Sequence, residues 1–315
     1  MIACFSINYF LICSISCATE KTKEEEESES SDDEEQEPNL DEENDEDAIG
    51  LDGQLDEDEE KFTFEFKDLN EDFRGDIASL LKSLTKKSGS YELSKAVSEQ
   101  SIVGTAIVCE EGDDVFGFAS MLPLASYMHL DFFKGIIADL LIEVQKLPED
   151  GETSTIMSTC VGGDDADQTA MMIQGRFINL PLQLVPSLHG SLVEDLEWAK
   201  REENSASKKN KKTTTSSSSS DDAVIPKFAN IEYILLLSPC TRHVEKGQDA
   251  STFSPDVTSD SSILFDHFED EIYFQESLAS VFFKPRCADT TYAAALIPVS
   301  SLSSCVENIK MLVGQ

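Results

Sequence analysis

The segment "GRFINLPLQLVPSLHGSL", residues 175–192, joins two regular elements and decides how the middle of the chain folds. It continues the apolar run "TAMMIQGRFINL", which is typical of a strand. Pro181 restricts Leu180 to an extended conformation, and Pro186 begins an amphipathic helix that reaches Ala199. Residues 176–181 within it have one Arg and one Asn, without an acid, base or nucleophile partner at a useful spacing. We therefore interpret it as a joint between a strand and a helix rather than a catalytic site.

Three side chains of this joint have predicted contacts. Phe177 is expected to face the core, and Asn179 to bind backbone groups where the sheet ends. Arg176 is expected to pair across the fold with the acidic run from Glu269 to Glu271. Such a run can bind a hard cation or act as acid and base. We favour a helix start, where acids meet the positive end of the helix dipole.

Apolar periodicity in the rest of the chain predicts about six strands and roughly four helices. The predicted strands are 61–67, 101–109, 115–122, 169–180, 231–238 and 291–299. The predicted helices cover Phe73 to Leu84, Phe132 to Val144, Leu188 to Ala199 and Leu302 to Val313, while 268–283 mixes a helical turn with a strand. The strand at 231–238 is expected to be central, and Pro123 to mark an exit from the sheet.

This element order predicts an α/β (α+β) fold, with a mixed, mostly antiparallel sheet flanked by helices. Residues 61–315, about 255 in number, form one predicted domain. That domain carries a low-complexity insertion at 201–224 and a loop at 243–262.

The segment 20–60 is a predicted disordered acidic tail. The chain has a net charge of −38, and roughly two dozen of its acids lie in this segment with few apolar residues among them. Direct nucleic-acid binding is not expected, because phosphate contacts need Lys and Arg. The expected partner is itself basic, namely a histone, a ribosomal protein or a polybasic segment, and the alternative is that the tail only maintains solubility.

The first nineteen residues, "MIACFSINYFLICSISCAT", form an apolar leader without a basic start. They resemble the core of a signal peptide but are too short to span a bilayer comfortably. The other interpretations are a mis-assigned start and an apolar leader without a function. We expect no membrane partner.

Specific chemistry is hard to find in this sequence. Its eight cysteines form no C-x-x-C pair, and its four histidines have no metal spacing, so no metal site or cofactor is predicted. No nucleophile elbow or phosphate-binding motif is present, and "CVGGDD" (160–165) is typical of a turn. The sequence thus predicts no enzyme.

The run "KKNKK" is a candidate nuclear-localisation signal, formed by Lys208, Lys209, Lys211 and Lys212. A solvated linker is the alternative interpretation. Ser28, Ser30 and Ser31 precede acids and suit acid-directed kinases, whose phosphates would deepen the negative charge.

Three stretches together resemble those of the BCCIP family: "VFGFASMLPL" (115–124), "GRFINLPLQLVPSL" (175–188) and "FDHFEDEIYFQESLASVFF" (265–283). Their order, their spacing and the acidic N-terminus also match. The resemblance marks the following residues as structural or partner-binding: Phe116, Gly117, Phe118, Arg176, Phe177, Asn179, Pro181, Phe268, Glu269, Asp270 and Glu271.

The resemblance implies a fold similar to the GNAT acetyltransferases and a nuclear protein that shuttles to the cytoplasm and acts by binding other proteins. Its fungal members chaperone a large-subunit ribosomal protein and support nuclear export of a lipid kinase. Its animal members act in recombinational repair, cell-cycle control and ribosome biogenesis. We expect a non-enzymatic adaptor or chaperone for a basic client. One alternative is an acyltransferase on a GNAT-like core, although no glycine-rich CoA-binding loop follows a strand. Another is a secreted acidic protein.

Overall fold

The computed structural model of the chain describes residues 63–82, 84–85, 89–110, 112–148, 151–163, 165–210, 227–242, 263–286 and 290–314. The predictions for the leader, the acidic tail and the loop at 243–262 therefore lie outside the described residues.

A mixed sheet organises the part of the chain that is described. Its eight strands are β1 Phe64–Asp68, β2 Gly104–Cys109, β3 Val115–Pro123, β4 Thr169–Arg176, β5 Tyr233–Arg242, β6 Ile263–Phe265, β7 Ala279–Phe283 and β8 Thr291–Pro298. They lie in the order β1-β2-β3-β4-β5-β8-β7, with β6 paired to β5. Only β4 and β5 run parallel among these pairs; the others are antiparallel. The predicted fold class and the central place of β5 are confirmed.

Helices cover both faces of this sheet. They are α1 Arg74–Leu80, α2 Ser90–Glu99, α3 Leu124–Tyr127, α4 Asp131–Val144, α5 Glu152–Met157, α6 Val185–Asn210, α7 Phe268–Gln275 and α8 Leu302–Val313. The predicted long helix (α4), the closing helix (α8) and the end of β3 at Pro123 are confirmed. α2, α3 and α5 were not predicted.

Alternating side chains of the strands build two apolar layers. On one face, Phe118 and Leu235 join a core with α1, α2, α4 and α5, which includes Ile77, Phe133 and Met157. On the other face, α6 packs against β2 and β3, and α8 packs against both α6 and α7. The buried stripe of α6 has the predicted helical spacing and consists of Leu188, Leu192, Leu196 and Ala199.

The joint after β4 differs from its prediction. β4 ends at Arg176, and Phe177 is 47% exposed rather than in the core. The reason is a tight turn: the Phe177 N–H donates to the carbonyl of Phe116 at 2.9 Å, and the Leu180 N–H donates to the carbonyl of Phe177 at 3.1 Å. This turn places Leu180, which is 3% exposed, in the core position instead.

α6 is longer than predicted, because it continues to Asn210 and takes the first ten residues of the predicted insertion at 201–224. The added residues include Arg, Glu, Ala and Lys, which favour helix. The Glu203 carboxylate anchors this end by accepting the N–H groups of Phe228 and Ala229 at 2.8 and 2.9 Å. Within the described ranges, no helix combines the length and apolar character needed to cross a membrane.

Candidate functional site

The sheet divides next to the joint. β4 and β5 pair only from Thr169 to Met172, after which β4 stays with β3 as far as Arg176. The end of β5 pairs instead with β8 on one side and β6 on the other, since Cys240 is aligned with a residue of each. We call the gap between the C-terminal ends of β4 and β5 the fork. The first turn of α7 fills it.

A buried ion pair crosses the fork. Arg176 donates from Nε to Glu269 Oε1 at 2.8 Å and from Nη2 to Oε2 at 3.0 Å. The two side chains are only 7% and 2% exposed, and the guanidinium carbon lies 5.8 Å from the centre of the Phe268 ring. The expected pairing of Arg176 with this acidic run is confirmed. A two-point contact of this kind fixes the strand relative to the helix.

The neighbouring carboxyls of α7 have different environments. Burial alone would raise the pKa of Glu269, but the hydrogen bonds from Arg176 and its positive charge outweigh burial and lower it. Burial, and then the charge of Glu269, raise the pKa of Asp270 well above its ordinary range. Asp270 accepts a hydrogen bond from the Gln174 amide. Glu271 is exposed. The acids do begin a helix, as predicted, but two of the three lie in the interior.

A second polar contact, between α6 and α7, lies beside the ion pair. His189 Nδ1 is 2.9 Å from the Tyr273 hydroxyl, and both side chains are buried. Burial lowers the pKa of His189 to about 4, so the imidazole is neutral near pH 7. Sequence reasoning missed this contact. A histidine within the apolar stripe of α6 could have indicated the contact, because a buried polar group needs a hydrogen-bond partner.

The first family stretch packs against the joint. Gly117 is aligned with Arg176 across the β3–β4 pair, and a Cβ atom there would lie 3.1 Å from Arg176 Cβ. Phe116 makes an edge contact with Phe177, with ring centres 5.7 Å apart. Phe118 is fully buried in the core. The three stretches that are separate in sequence therefore meet at the fork.

Asn179 and Pro181 lie in the turn that follows β4. Asn179 is exposed in the turn, and its side chain makes no hydrogen bond to the described residues, so the predicted backbone contact is wrong. The turn is closed by backbone groups and needs no side-chain acceptor. Pro181 is partly buried and comes directly before the short 3-10 helix Leu182–Leu184, which leads into α6.

A groove of about 350 Å³ opens above the fork. Its apolar lining comes from the joint, β6 and α7: Ile178, Leu182, Ile263, Leu264, Phe265 and Phe268. Arg176 contributes to the lining, and Asp266 and Glu271 add two exposed carboxylates. We call this surface the fork groove.

Other candidate residues do not join this site. Lys208 and Lys209 lie in the last turn of α6, and Lys211 and Lys212 lie outside the described residues. The described cysteines are free and buried, and burial raises the pKa of Cys240 to about 11 and of Cys305 to about 12. Such thiols are poor nucleophiles. No metal-ligating cluster of His, Cys, Asp and Glu occurs among the residues with described positions.

The joint also lacks the features of an anion-binding loop. Phosphate loops use glycines and free backbone N–H groups at a helix N-terminus. Residues 177–184 contain no glycine, and Pro186 in the first turn of α6 has no N–H to offer. The exposed carboxylates of Asp266 and Glu271 close by would repel phosphate.

The chain is similar to known proteins in sequence and in fold. A family model described as BCCIP matches residues 59–273. Protein BCP1 of Yarrowia lipolytica is 30% identical over 141 residues, which cover 42% of this chain and 45% of that protein. The match thus spans less than half of that relative. The crystal structure of BCP1 from Saccharomyces cerevisiae aligns with a TM-score of 0.46 and 15% identity, covering 82% of this chain and 93% of that chain.

Proposed function

The chain belongs to the BCCIP family, and from that membership we propose that it is a non-enzymatic adaptor or chaperone that binds a basic client protein in the nucleus. The observation that carries the proposal is the net charge of −38, much of it in residues 20–60. A basic client away from RNA lacks counter-charges, and an acidic chain supplies them. Electrostatic attraction also accelerates capture and weakens with salt.

The proposed client is a ribosomal protein of the large subunit, and the proposed processes are ribosome biogenesis and nuclear export. Family resemblance supports this choice, and so does charge, since ribosomal proteins bind RNA through Lys and Arg. We also propose cell-cycle and recombination-repair proteins as partners, because animal members of the family act in these processes.

A binding role rather than catalysis is supported by the state of the polar groups at the fork. Arg176, Glu269, Asp270 and His189 are all engaged in internal contacts and withdrawn from solvent. A general acid or base must reach its substrate. Calorimetry with acetyl-CoA separates this proposal from an acyltransferase: the proposal expects no heat of binding, and measurable affinity would favour the enzyme.

The central test is capture of basic ribosomal proteins by the full chain. We expect capture at about 50 mM salt and a large loss at about 300 mM, because exposed charges are screened over shorter distances as salt increases. The matched control replaces each Asp and Glu of 20–60 by Asn and Gln, which keeps the length. Equal recovery by both chains at both salt concentrations would remove the acidic segment from the function.

Nuclear localisation is tested with a fluorescent fusion. Replacing Lys208, Lys209, Lys211 and Lys212 by Ala is expected to shift the protein toward the cytoplasm. The control is the conservative replacement by Arg, which keeps the charge that import factors recognise. An unchanged nuclear fraction in the Ala variant would leave the lysines without a role in import.

A further inference from the structure

The fork groove has exposed apolar walls. Ile178 is 89% exposed, Leu264 is 58% exposed and Leu182 is 43% exposed. These aliphatic side chains come from two segments far apart in sequence, yet they line one concave surface. Single exposed apolar residues are ordinary, but a cluster around a cavity marks a binding surface.

The base of the groove is held rigidly. Arg176 is fixed by its two hydrogen bonds to Glu269, and Phe268 lies beneath the guanidinium. A partner that binds a preformed groove loses less conformational entropy than one that must order it. The volume of about 350 Å³ is at the lower end of the range for ligand sites and suits a large side chain with its flanking backbone.

The charge of the groove selects the occupant. The guanidinium of Arg176 is compensated by Glu269, whereas Asp266 and Glu271 stand exposed at the rim. The rim is therefore negative. A second copy of this chain, with its own net charge of −38, is repelled at long range, and the acidic segment 20–60 is repelled for the same reason. A partner segment with Lys or Arg is complementary.

The edge of β6 favours an extended partner. Among the described strands, β6 pairs only with β5, and all three of its residues line the groove. An edge strand presents backbone N–H and C=O groups that an extended peptide can pair with, while pockets accept its alternate side chains.

We propose that the fork groove binds an extended, basic segment of a partner protein, with one large apolar side chain between Ile178 and Leu264 and flanking Lys or Arg residues at Asp266 and Glu271. This inference rests on the proposed function, because it names the surface that holds the basic client.

Fluorescence anisotropy of the full chain with defined peptides tests the proposal. The probe is a labelled peptide of about 12 residues, with one central Leu and Lys or Arg on both sides. One comparison peptide has Ala in place of Leu, and another has Glu in place of the basic residues. We expect the Ala peptide to bind at least about tenfold more weakly, since the Leu side chain loses its buried surface. The Glu peptide is expected not to bind.

Variants locate the binding surface. Ile178→Ser combined with Leu264→Ser should lower the affinity for the Leu peptide by at least about tenfold, because both apolar walls of the groove are lost. Both positions are exposed, so folding should be preserved, and thermal unfolding checks this. The matched control is Met311→Ser with Leu312→Ser, two equally exposed apolar residues on α8, which should leave the affinity unchanged.

Several results would overturn the proposal: no binding of the Leu peptide, equal affinity in the groove variant, or equal affinity for the Glu peptide. A dimer of the wild-type chain in sedimentation, lost in the groove variant, would also overturn it, since a second copy would then occupy the groove. The proposed function fails separately, if the wild-type chain captures no basic ribosomal protein at low salt. Capture that the groove variant keeps in full refutes the groove alone.

Discussion

Two ion pairs of the same chemical type lie in different surroundings in this protein. Arg176 and Glu269 meet in the fork, with side chains that are 7% and 2% exposed. Arg286 follows β7 and pairs with Asp139 of α4 at 2.6 Å, but its side chain is 75% exposed while Asp139 is 8% exposed. Both pairs join segments that are distant in sequence. We expect burial, rather than the hydrogen-bond distance, to decide how much each pair contributes to stability.

The difference arises from water. A buried ion that loses its partner keeps its desolvation cost, whereas an exposed ion is solvated again. Asp139 also accepts the backbone N–H of Arg286 at 2.8 Å, so part of that contact survives without the guanidinium. Both partners of the fork pair are therefore withdrawn from water, whereas in the Arg286 pair only Asp139 is buried and the guanidinium is solvated.

The largest expected effect comes from removing the two arginines separately. Arg176→Ala should lower the free energy of unfolding by about 3–5 kcal/mol, since Glu269 stays buried without its partner. Arg286→Ala should lower it by less, about 1–2 kcal/mol, because the buried Asp139 loses the guanidinium but keeps the backbone N–H of residue 286 as a donor. Urea denaturation followed by circular dichroism measures both. Equal losses in the two variants would break the comparison.

Acid should weaken the fork through His189. Its pKa of about 4 in the fold lies below the ordinary 6.5, so between these values the unfolded chain binds a proton that the folded chain does not. Stability therefore falls as pH decreases from about 6.5 to 4, by on the order of 3 kcal/mol from this group. His189→Gln should reduce that loss.

The contribution of His189 is the difference between wild type and His189→Gln in how the free energy of unfolding changes with pH, because other groups titrate in the same range. The lowered pKa of Glu269 adds to the loss in acid, while the raised pKa of Asp270 opposes it. The matched control is His129→Gln, at an exposed histidine, which measures what the same substitution does outside the fork. The same pH dependence in His189→Gln and wild type would show that His189 does not contribute.

A smaller effect is expected from a methyl group at the joint. Gly117→Ala should lower the free energy of unfolding by about 1–3 kcal/mol, because the added Cβ would lie 3.1 Å from Arg176 Cβ and 3.3 Å from Leu180 Cδ2. Gly135→Ala is the control, since that glycine lies in α4 with nothing within 4 Å of an added Cβ. It should stabilise by about 0.5–1 kcal/mol. Thermal unfolding compares them, and a stable Gly117→Ala would mean that the joint has room to adjust.

The sequence predicted those parts of the fold that rest on apolar periodicity. α4, α8 and β5 have long apolar patterns, and the structure confirms them. α2 was missed because its buried face contains serines. Ser94 and Ser98 satisfy their hydroxyls within the helix, by donating to the carbonyls of Tyr91 and Lys95. A pattern of apolar residues cannot reveal such a helix.

The candidate site was predicted only in part. The prolines and the Arg indicated a joint and an acidic partner, and the Arg176–Glu269 contact confirms the pairing. Burial of Asp270 and exposure of Ile178 were not predictable, because both depend on how β4 and β5 separate. That separation is a property of the assembled sheet, and no local pattern encodes it.

Methyl NMR of the full chain, titrated with the Leu-centred basic peptide, tests the central claim most directly. The claim is that a rigid fork supports a groove that binds a basic partner. We expect the methyl signals of Ile178, Leu182 and Leu264 to shift on binding, while those of buried Ile309 and exposed Leu312 stay in place. Shifts confined to other methyl groups, or no shift at saturating peptide, would contradict the account.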